Sequence, residues 1–147
     1  MSTLSLGDKL RLVLTVEGSS RRTALAFALG VFVGMSPFLG LHTLMAIGIA
    51  VAFRFNKVVT LAGAYITNPW TIIPIYTFST WLGVKLTGSE DALSSINFHS
   101  INIFNIFRML EGLLVPFFVG TLFVGSVAGV VSYFLVKTIL RRMREGS

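Results

Sequence analysis

The most constraining feature of this sequence is the length of its stretches without a charged side chain. Residues 23–53, 58–84 and 112–136 contain no Asp, Glu, Lys or Arg, and each stretch is at least 25 residues long. A helix needs about 20 apolar residues to cross the roughly 30 Å hydrocarbon core of a bilayer. Each stretch is therefore long enough to cross a membrane, and the sequence predicts an integral membrane protein.

The composition of the whole chain supports the same class. Charged residues make up 12% of the sequence and hydrophobic residues 54%, whereas soluble domains contain about 25% charged residues. Cysteine is absent and there are only two histidines, which excludes disulfide scaffolds and thiolate metal sites, so we expect no metal and no cofactor. The predicted fold class is all-α, a small polytopic integral membrane helical bundle with broken or re-entrant helices.

The basic residues predict an orientation in the membrane. A net charge of +6 could by itself indicate a nucleic-acid partner, but the placement of the cations favours a membrane topology. If residues 23–57 enter and leave on one side while the other two stretches cross, only Lys85 and Arg108 lie opposite the remaining ten cations. The positive-inside rule gives this distribution to a cytoplasmic face. We therefore expect a multi-pass inner-membrane protein with cytoplasmic basic termini and no nucleic-acid partner.

The chain divides into six segments under this interpretation. They are an amphipathic interfacial segment (1–22), an apolar hairpin broken at Ser36-Pro37 (23–57), an apolar segment broken at Asn68-Pro69 (58–85), a polar loop or interfacial helix (86–111), a transmembrane helix (112–140) and a basic tail (141–147). Residues 58–84 either cross as a broken helix or turn back as a second hairpin. Pro116 is expected in the first turn of the last helix, where proline is harmless.

Two dipeptides inside the apolar stretches, Ser36-Pro37 and Asn68-Pro69, carry most of the functional information. Ser or Asn at the N-cap, followed by Pro, is a preferred way to begin a helix. Each pair predicts a new helix start near the middle of the bilayer, counting about 1.5 Å per residue from the nearest cation. Unpaired backbone at that depth requires surrounding protein or a watery cavity, so we expect the two breaks to meet. Both prolines could instead be kinks in continuous helices.

Two helix starts at one place would form an anion site. A helix N-terminus carries about half a positive charge and up to four unpaired N–H groups, which suits a carboxylate or a phosphate. His42 could add a titratable donor, or it could be a packed core histidine. The candidate substrate-binding residues are Ser36, Pro37, Gly40, His42, Asn68, Pro69, Thr71, Pro74 and Tyr76. No nucleophile lies beside a base, so we do not expect an enzyme.

Three strings carry a resemblance to a known family: A-L-G-V-F-V-G-M-S-P-F-L-G-L-H (28–42), R-F-N-K (54–57) and I-T-N-P-W-T-I-I-P-I-Y (66–76). They resemble the bacterial membrane family known as domain of unknown function 2062, over most of the chain. The resemblance implies a helical inner-membrane domain without an assigned activity. Its paired breaks look analogous to the re-entrant loops of DedA-type lipid transporters, an analogy of architecture alone. The membrane-embedded acidic and arginine residues usual in DedA-like proteins are missing from these apolar stretches.

The expected function follows from the anion site. We expect translocation or scrambling of an anionic lipid or polyprenyl phosphate, with membrane lipids as partners and a homodimer formed through glycine faces. The alternative is a non-transporting assembly or scaffold protein for envelope enzymes. Its docking residues would be Gly30, Gly34, Gly125 and Gly129, whose spacing permits close helix approach in lipid. The similar strings at 27–34 and 118–125 also leave an inverted-repeat transporter open.

Overall fold

The computed structural model describes residues 5, 7–8, 19–38, 40–94, 99 and 102–146, and these residues form helices and no strands. The helices are α1 (Ser20–Met35), α2 (His42–Ala52), α3 (Lys57–Ala64), α4 (Pro69–Thr87), α5 (Glu90–Ser94) and α6 (Ile103–Glu145). The all-α class is confirmed. Most of the interfacial segment predicted for residues 1–22 lies outside the described residues.

The helices α1 and α2 run antiparallel, which is the hairpin arrangement predicted for residues 23–57. The Arg22 guanidinium, in the first turn of α1, donates to the carbonyl oxygens of Phe53 at 2.7 Å and Arg54 at 2.9 Å, just beyond the end of α2. A cation at this place complements the negative end of the helix dipole. The first apolar stretch therefore begins and ends at the same end of the molecule.

The helices α1 and α3 lie parallel and touch through their backbones. A Cβ atom added to Gly30 would overlap the Thr60 carbonyl oxygen, and one added to Gly34 would overlap that of Ala64. Small residues at such spacing let two helices approach closely where no side chains intervene. After α3 the chain bends by 64° and continues as α4, so the second apolar stretch is broken where the sequence predicts it.

The long helix α6 departs from the predicted boundaries. It contains 43 residues, or about 64 Å at 1.5 Å per residue, and it begins nine residues before the predicted start at 112. It also continues through the basic tail as far as Glu145. The expected position of Pro116 in the first helical turn is consequently wrong, because this residue is buried in the helix interior.

The proline in α6 is accommodated at the crossing with α4. Proline lacks an N–H and its ring crowds the preceding turn, which normally breaks or kinks a helix. At this point Gly83 of α4 lies against the Pro116 carbonyl, and Gly120 of α6 lies against the Ser79 carbonyl. The two helices are therefore antiparallel and in backbone contact at the turn that contains Pro116.

The charges separate to the two ends of the bundle. The start of α1, the end of α2, the start of α3 and the end of α6 share one end, which we call the basic pole. Its cations are Arg21, Arg22, Arg54, Lys57, Lys137, Arg141, Arg142 and Arg144. At the other end, the Lys85 Nζ lies 2.6 Å from Glu90 Oε1, and this hydrogen bond lowers the pKa of Glu90. Among the described residues, the cations therefore concentrate at the basic pole, while Lys85 at the other end is paired with Glu90.

One helix among the described residues, α6, is long and apolar enough to cross a membrane, and the bent pair α3–α4 passes the same test if it is taken as one span. Only 28% of the apolar window of α6 is buried, whereas the core helix of a soluble protein is mostly buried. The outward-facing side chains of this helix are large and apolar. They include Phe118, Leu122, Phe123, Val127, Val130, Val131, Phe134 and Leu135.

Candidate functional site

The two chain breaks lie next to each other. The Tyr76 hydroxyl in α4 donates to the Ser36 carbonyl at the end of α1, at 2.9 Å. The His42 ring at the start of α2 packs edge-on against the Tyr65 ring at the end of α3, with centroids 5.9 Å apart. We call the group Ser36, His42, Tyr65, Asn68 and Tyr76 the break layer. The prediction that the two breaks meet is confirmed.

The break layer is level with the charge-free part of α6. Tyr76 packs edge-on against Phe117 with centroids 5.0 Å apart, and Phe38 packs in the same way against Phe118 at 6.1 Å. These two phenylalanines lie five and six residues after the start of the charge-free stretch at 112, or about 8–9 Å along the helix axis. The breaks therefore lie within the apolar belt of the molecule and not at one of its charged ends.

The helix start predicted at Asn68-Pro69 is confirmed. The Asn68 Oδ1 accepts hydrogen bonds from the N–H groups of Trp70 and Thr71, both at 3.0 Å, and Thr71 Oγ1 accepts from the Asn68 N–H at 2.9 Å. This reciprocal pair is a capping box. It uses the same N–H groups that were expected to bind an anion. Asn68, Pro69 and Thr71 therefore begin the helix, and in this structure their donors are already paired.

The helix start predicted at Ser36-Pro37 is wrong. Ser36 is instead the C-cap of α1, and both its N–H and its hydroxyl donate to the Val33 carbonyl, at 3.1 and 2.6 Å. The last carbonyls of a helix lack intrahelical partners, so the end of α1 offers this serine a nearby acceptor. The next helix starts only at His42, after Gly40 with φ of +85°, a conformation that glycine adopts without strain.

The helix α2, which begins beside the break layer, has no side-chain cap at its start. Its N-cap residue, Leu41, supplies no side-chain hydrogen bond, so the first-turn N–H groups have no side-chain cap. The half-buried His42 and Thr43 stand at this end, and Thr43 Oγ1 lies 3.1 Å from the Tyr65 hydroxyl. Tyr65 was not among the predicted site residues. Its position three residues before Asn68, in the same break, is the sequence signal that could have identified it.

Two buried hydroxyls have no hydrogen-bond partner within the described part of the chain, Thr67 Oγ1 and Ser79 Oγ. Ser79 is enclosed by the contact between α4 and α6, where its backbone faces Gly120. Thr67 immediately precedes the Asn68 cap and belongs to the break between α3 and α4. A buried donor without a partner costs about 1–3 kcal/mol. Thr67 therefore adds an unpaired hydroxyl beside the break layer.

A cavity extends along α4 from the break layer. It has a volume of about 470 Å³ and is lined by Tyr76, Thr77, Thr80, Trp81 and Leu93. The hydroxyls of Thr77 and Thr80 donate to backbone carbonyls of their own helix at 2.7 Å, which leaves their oxygen atoms free as acceptors. Pro74 lies within the continuous helix α4 and is exposed. It is therefore a proline tolerated inside a helix and lies outside the break layer.

The glycines predicted to form a dimer or docking face are used inside the chain. Gly30 and Gly34 are buried against α3, and Gly125 and Gly129 are buried in the contact between α6 and α1. In this structure the four residues therefore pack against helices of the same chain. A homodimer or a scaffold built on these glycine faces stays a prediction.

Replacing Asn68 with Ala should reduce the free energy of unfolding by about 1 kcal/mol, because an N-cap side chain contributes this much on average. Asn102 provides a matched control, since it is the N-cap residue of α6 but makes no side-chain cap hydrogen bond. We expect Asn102→Ala to leave the stability nearly unchanged. Far-UV circular dichroism during denaturant unfolding in detergent measures both variants, and equal losses would contradict the role of the capping box.

These features define the class of the protein: an all-helical bundle built around one long apolar helix, with two chain breaks that lie side by side. The chain belongs to the family described as uncharacterized protein conserved in bacteria (DUF2062), whose family model matches residues 5–147. The resemblance given by the proline-containing strings is thereby confirmed. No curated protein and no solved structure matches the chain.

Proposed function

We propose that the protein is a multi-pass protein of the bacterial inner membrane, with its basic pole in the cytoplasm. The exposed apolar face of α6 supports this placement, because a surface of this kind is unfavourable in water. In this arrangement α6 crosses the bilayer, the bent pair α3–α4 crosses as one broken span, and α1–α2 enters from the basic pole and returns. The helix α2 has 11 residues, which is too short to cross a core about 30 Å thick.

We further propose that the break layer binds the phosphate of an anionic amphiphile, a phospholipid or a polyprenyl phosphate, and lets it pass between the leaflets. The observation that carries this proposal is a set of donors inside an apolar belt: the uncapped start of α2, the His42 ring and the Thr67 hydroxyl. Polar groups left unpaired in hydrocarbon cost several kcal/mol each. Phosphate oxygens would satisfy these donors, and no carboxylate lies in the charge-free stretches to repel them.

The surroundings of the break layer suit the apolar part of such a ligand. Leu44 and Val51 on α2 are exposed, as are Ile73 and Phe78 on α4. The cavity beside Tyr76 leads from this layer towards Trp81, a residue type common at the membrane interface. An amphiphile could therefore keep its chain in lipid while its headgroup follows α4.

The test is lipid scrambling in vesicles containing the purified protein and a fluorescent phosphatidylglycerol. A membrane-impermeant reductant bleaches the outer-leaflet label, and transport exposes the remainder. We expect His42→Ala to slow scrambling about tenfold, the effect of losing one strong hydrogen bond to a charged group. His99→Ala is the matched control, because it changes the other histidine, which is exposed and outside the charge-free stretches. This control variant should scramble lipid like the wild type.

Single cysteines measure the topology in the same vesicles, since the native chain has no cysteine. Ser89→Cys and Gly146→Cys should react with impermeant reagents from opposite faces. Labelling of both from one face would refute the multi-pass arrangement. Wild-type protein that moves no more lipid than empty vesicles, or His42→Ala protein as active as wild type, would refute transport through the break layer.

A scaffold role for envelope enzymes would have to use a surface other than the buried glycines. The outer face of α2 offers one, because Leu44, Ile47 and Val51 are exposed there and a Cβ atom added to Gly48 would meet no atom within 4 Å. A partner helix could approach this face closely. If the protein moves no lipid between leaflets, but the two cysteines react from opposite faces as expected, this second function would be favoured.

A further inference from the structure

An apolar groove runs between α1 and α6 on the side of the bundle near the basic pole. Its volume is about 400 Å³, and Gly129 forms its floor, where an added Cβ atom would lie 3.3 Å from the Ala28 carbonyl oxygen. The side chains around it are Leu25, Leu29, Phe32, Val130, Tyr133 and Phe134. Ser126 also lines the groove, but its hydroxyl already donates to the Leu122 carbonyl at 2.7 Å. The groove therefore suits a hydrocarbon chain.

A second cavity with the opposite character adjoins this groove. It has a volume of about 320 Å³ and is lined by Phe134, Lys137, Thr138, Arg141, Arg142 and Glu145. Phe134 lines both cavities, so the apolar groove and the basic cleft are neighbours along α6. Arg141 Nε pairs with Glu145 Oε1 at 2.9 Å. Within the described residues no carboxylate forms an ion pair with Lys137 or Arg142, so the cleft retains uncompensated positive charge.

The boundary between groove and cleft coincides with the end of the charge-free stretch. That stretch ends at Val136, and Lys137 is the first cation after it. The Lys137 Nζ lies 5.5 Å from the centroid of the Tyr133 ring. Tyrosine and lysine of this kind are typical of the zone between hydrocarbon and headgroups, where their apolar parts stay in lipid and their polar ends reach water.

We infer that the groove and the cleft together bind one anionic phospholipid of the basic-pole leaflet. One acyl chain would lie between α1 and α6 over Gly129, and the phosphate would lie against Lys137 and Arg142. The residues given for the cleft all belong to α6, and clustered cations next to a membrane segment attract anionic headgroups, whereas a zwitterionic lipid has no net charge to be attracted. This lipid site rests on the membrane placement proposed above. It does not depend on lipid transport through the break layer, because the break layer lies farther from the basic pole.

Native mass spectrometry tests the site on the full chain in mild detergent, mixed with equal amounts of phosphatidylglycerol and phosphatidylcholine. We expect a retained phosphatidylglycerol adduct on the wild type. The double variant Lys137→Gln/Arg142→Gln should retain the lipid at least about tenfold less, since each cation near an anionic headgroup contributes to its attraction. The control Arg54→Gln/Lys57→Gln removes the same charge from the same pole but outside the cleft, and it should retain the lipid.

The groove is tested independently by filling it. Val130→Trp should expel the acyl chain, because Val130 lines the groove. Val131→Trp should not expel it, because Val131 does not line the groove. The two valines are similarly exposed, at 57% and 52%, so general effects of the added tryptophan cancel. Thermal unfolding confirms that each variant compared is folded.

Three outcomes would overturn this lipid site. Equal lipid loss in the Lys137/Arg142 and Arg54/Lys57 double variants would show diffuse attraction to the basic pole, and equal loss in Val130→Trp and Val131→Trp would exclude the groove. Displacement of the lipid by millimolar inorganic phosphate would exclude a role for the acyl chain. Any of these results overturns the site. His42→Ala protein should keep its adduct and the cleft variant should keep scrambling lipid, so failure of this site is distinguishable from failure of the proposed transport.

Discussion

Replacing Gly120 with Ala should destabilise the bundle by about 3 kcal/mol, at the upper end of the cost of overpacking. The added methyl group would overlap the Ser79 carbonyl oxygen and lie 3.1 Å from the Gly83 nitrogen. Both are backbone atoms of α4, so no side chain can rotate away and the whole helix must move. The free energy of unfolding in mixed detergent micelles, followed by far-UV circular dichroism, measures this loss.

Gly48→Ala is the matched control for this experiment. Gly48 is also a glycine inside a helix, but a Cβ atom added there would meet nothing within 4 Å. Alanine is favoured over glycine in a helix by about 1 kcal/mol, so this variant should be more stable than the wild type. The added methyl group is therefore expected to lower the free energy of unfolding at position 120 and to raise it at position 48. A loss of stability at both would contradict the backbone contact between α4 and α6.

The sequence was sufficient to predict the helical class and the second break. Long apolar stretches must pair their own backbone groups in lipid, and helices do so locally. The Asn68-Pro69 start is local in the same sense, because its cap uses only residues 68–71. The hairpin at 23–57 followed from the positions of cations at both of its ends. These features depend on hydrogen bonds between residues close in sequence and on the positions of charged residues along the chain. Both can be inferred from the sequence.

The first break shows where local preference is insufficient. Ser36-Pro37 matches the helix-start pattern as well as Asn68-Pro69 does, but its serine caps the preceding helix by bonding to Val33. The choice between the two roles depends on tertiary contacts, such as the Tyr76 hydroxyl that holds the Ser36 carbonyl. The positive φ of Gly40 then delays the next helix to His42. None of these contacts could be derived from sequence spacing.

The extent of α6 was missed for a different reason. The predicted helix, 112–140, covered little more than the charge-free stretch at 112–136. A helix of about 64 Å exceeds a core of about 30 Å, so residues such as Arg108 and Glu111 can belong to the helix and still lie beyond its apolar stretch. Pro116 was expected in a first turn, but the helix begins 13 residues earlier, at Ile103, and Pro116 therefore lies in its interior. Charged residues therefore bound the apolar stretch of this helix and not the helix itself.

The glycine contacts change the functional interpretation of the predicted site. The glycines were expected to face other molecules, but they hold α1, α3, α4 and α6 in backbone contact around the break layer. Rigid contacts of this kind can hold His42 against Tyr65, whose rings pack edge-on. The apolar outer faces are then free to contact lipid, as the proposed transport and the proposed lipid site both require.

Replacing Arg22 with Ala should reduce the free energy of unfolding by about 1.5 kcal/mol, the scale of hydrogen bonds to a charged group. Its guanidinium donates to two carbonyls at the end of α2 and lies 5.4 Å from the centroid of the Phe55 ring. The alanine variant would leave these carbonyls without a donor and release α2 from α1. We expect this loosening to appear as faster hydrogen exchange in α2, measured by mass spectrometry of its peptides.

Arg21→Ala separates this specific contact from the general effect of removing a cation from the basic pole. Arg21 is exposed beside Arg22 at the start of α1, so the two variants lose the same charge at nearly the same place. We expect Arg21→Ala to change stability little and to leave exchange in α2 unaltered. Arg22→Lys should recover part of the loss, because lysine restores the charge at the end of α2 but not the planar pair of donors. Equal destabilisation by the two alanine variants would mean that pole charge, and not the closure of the hairpin by Arg22, holds α2 in place.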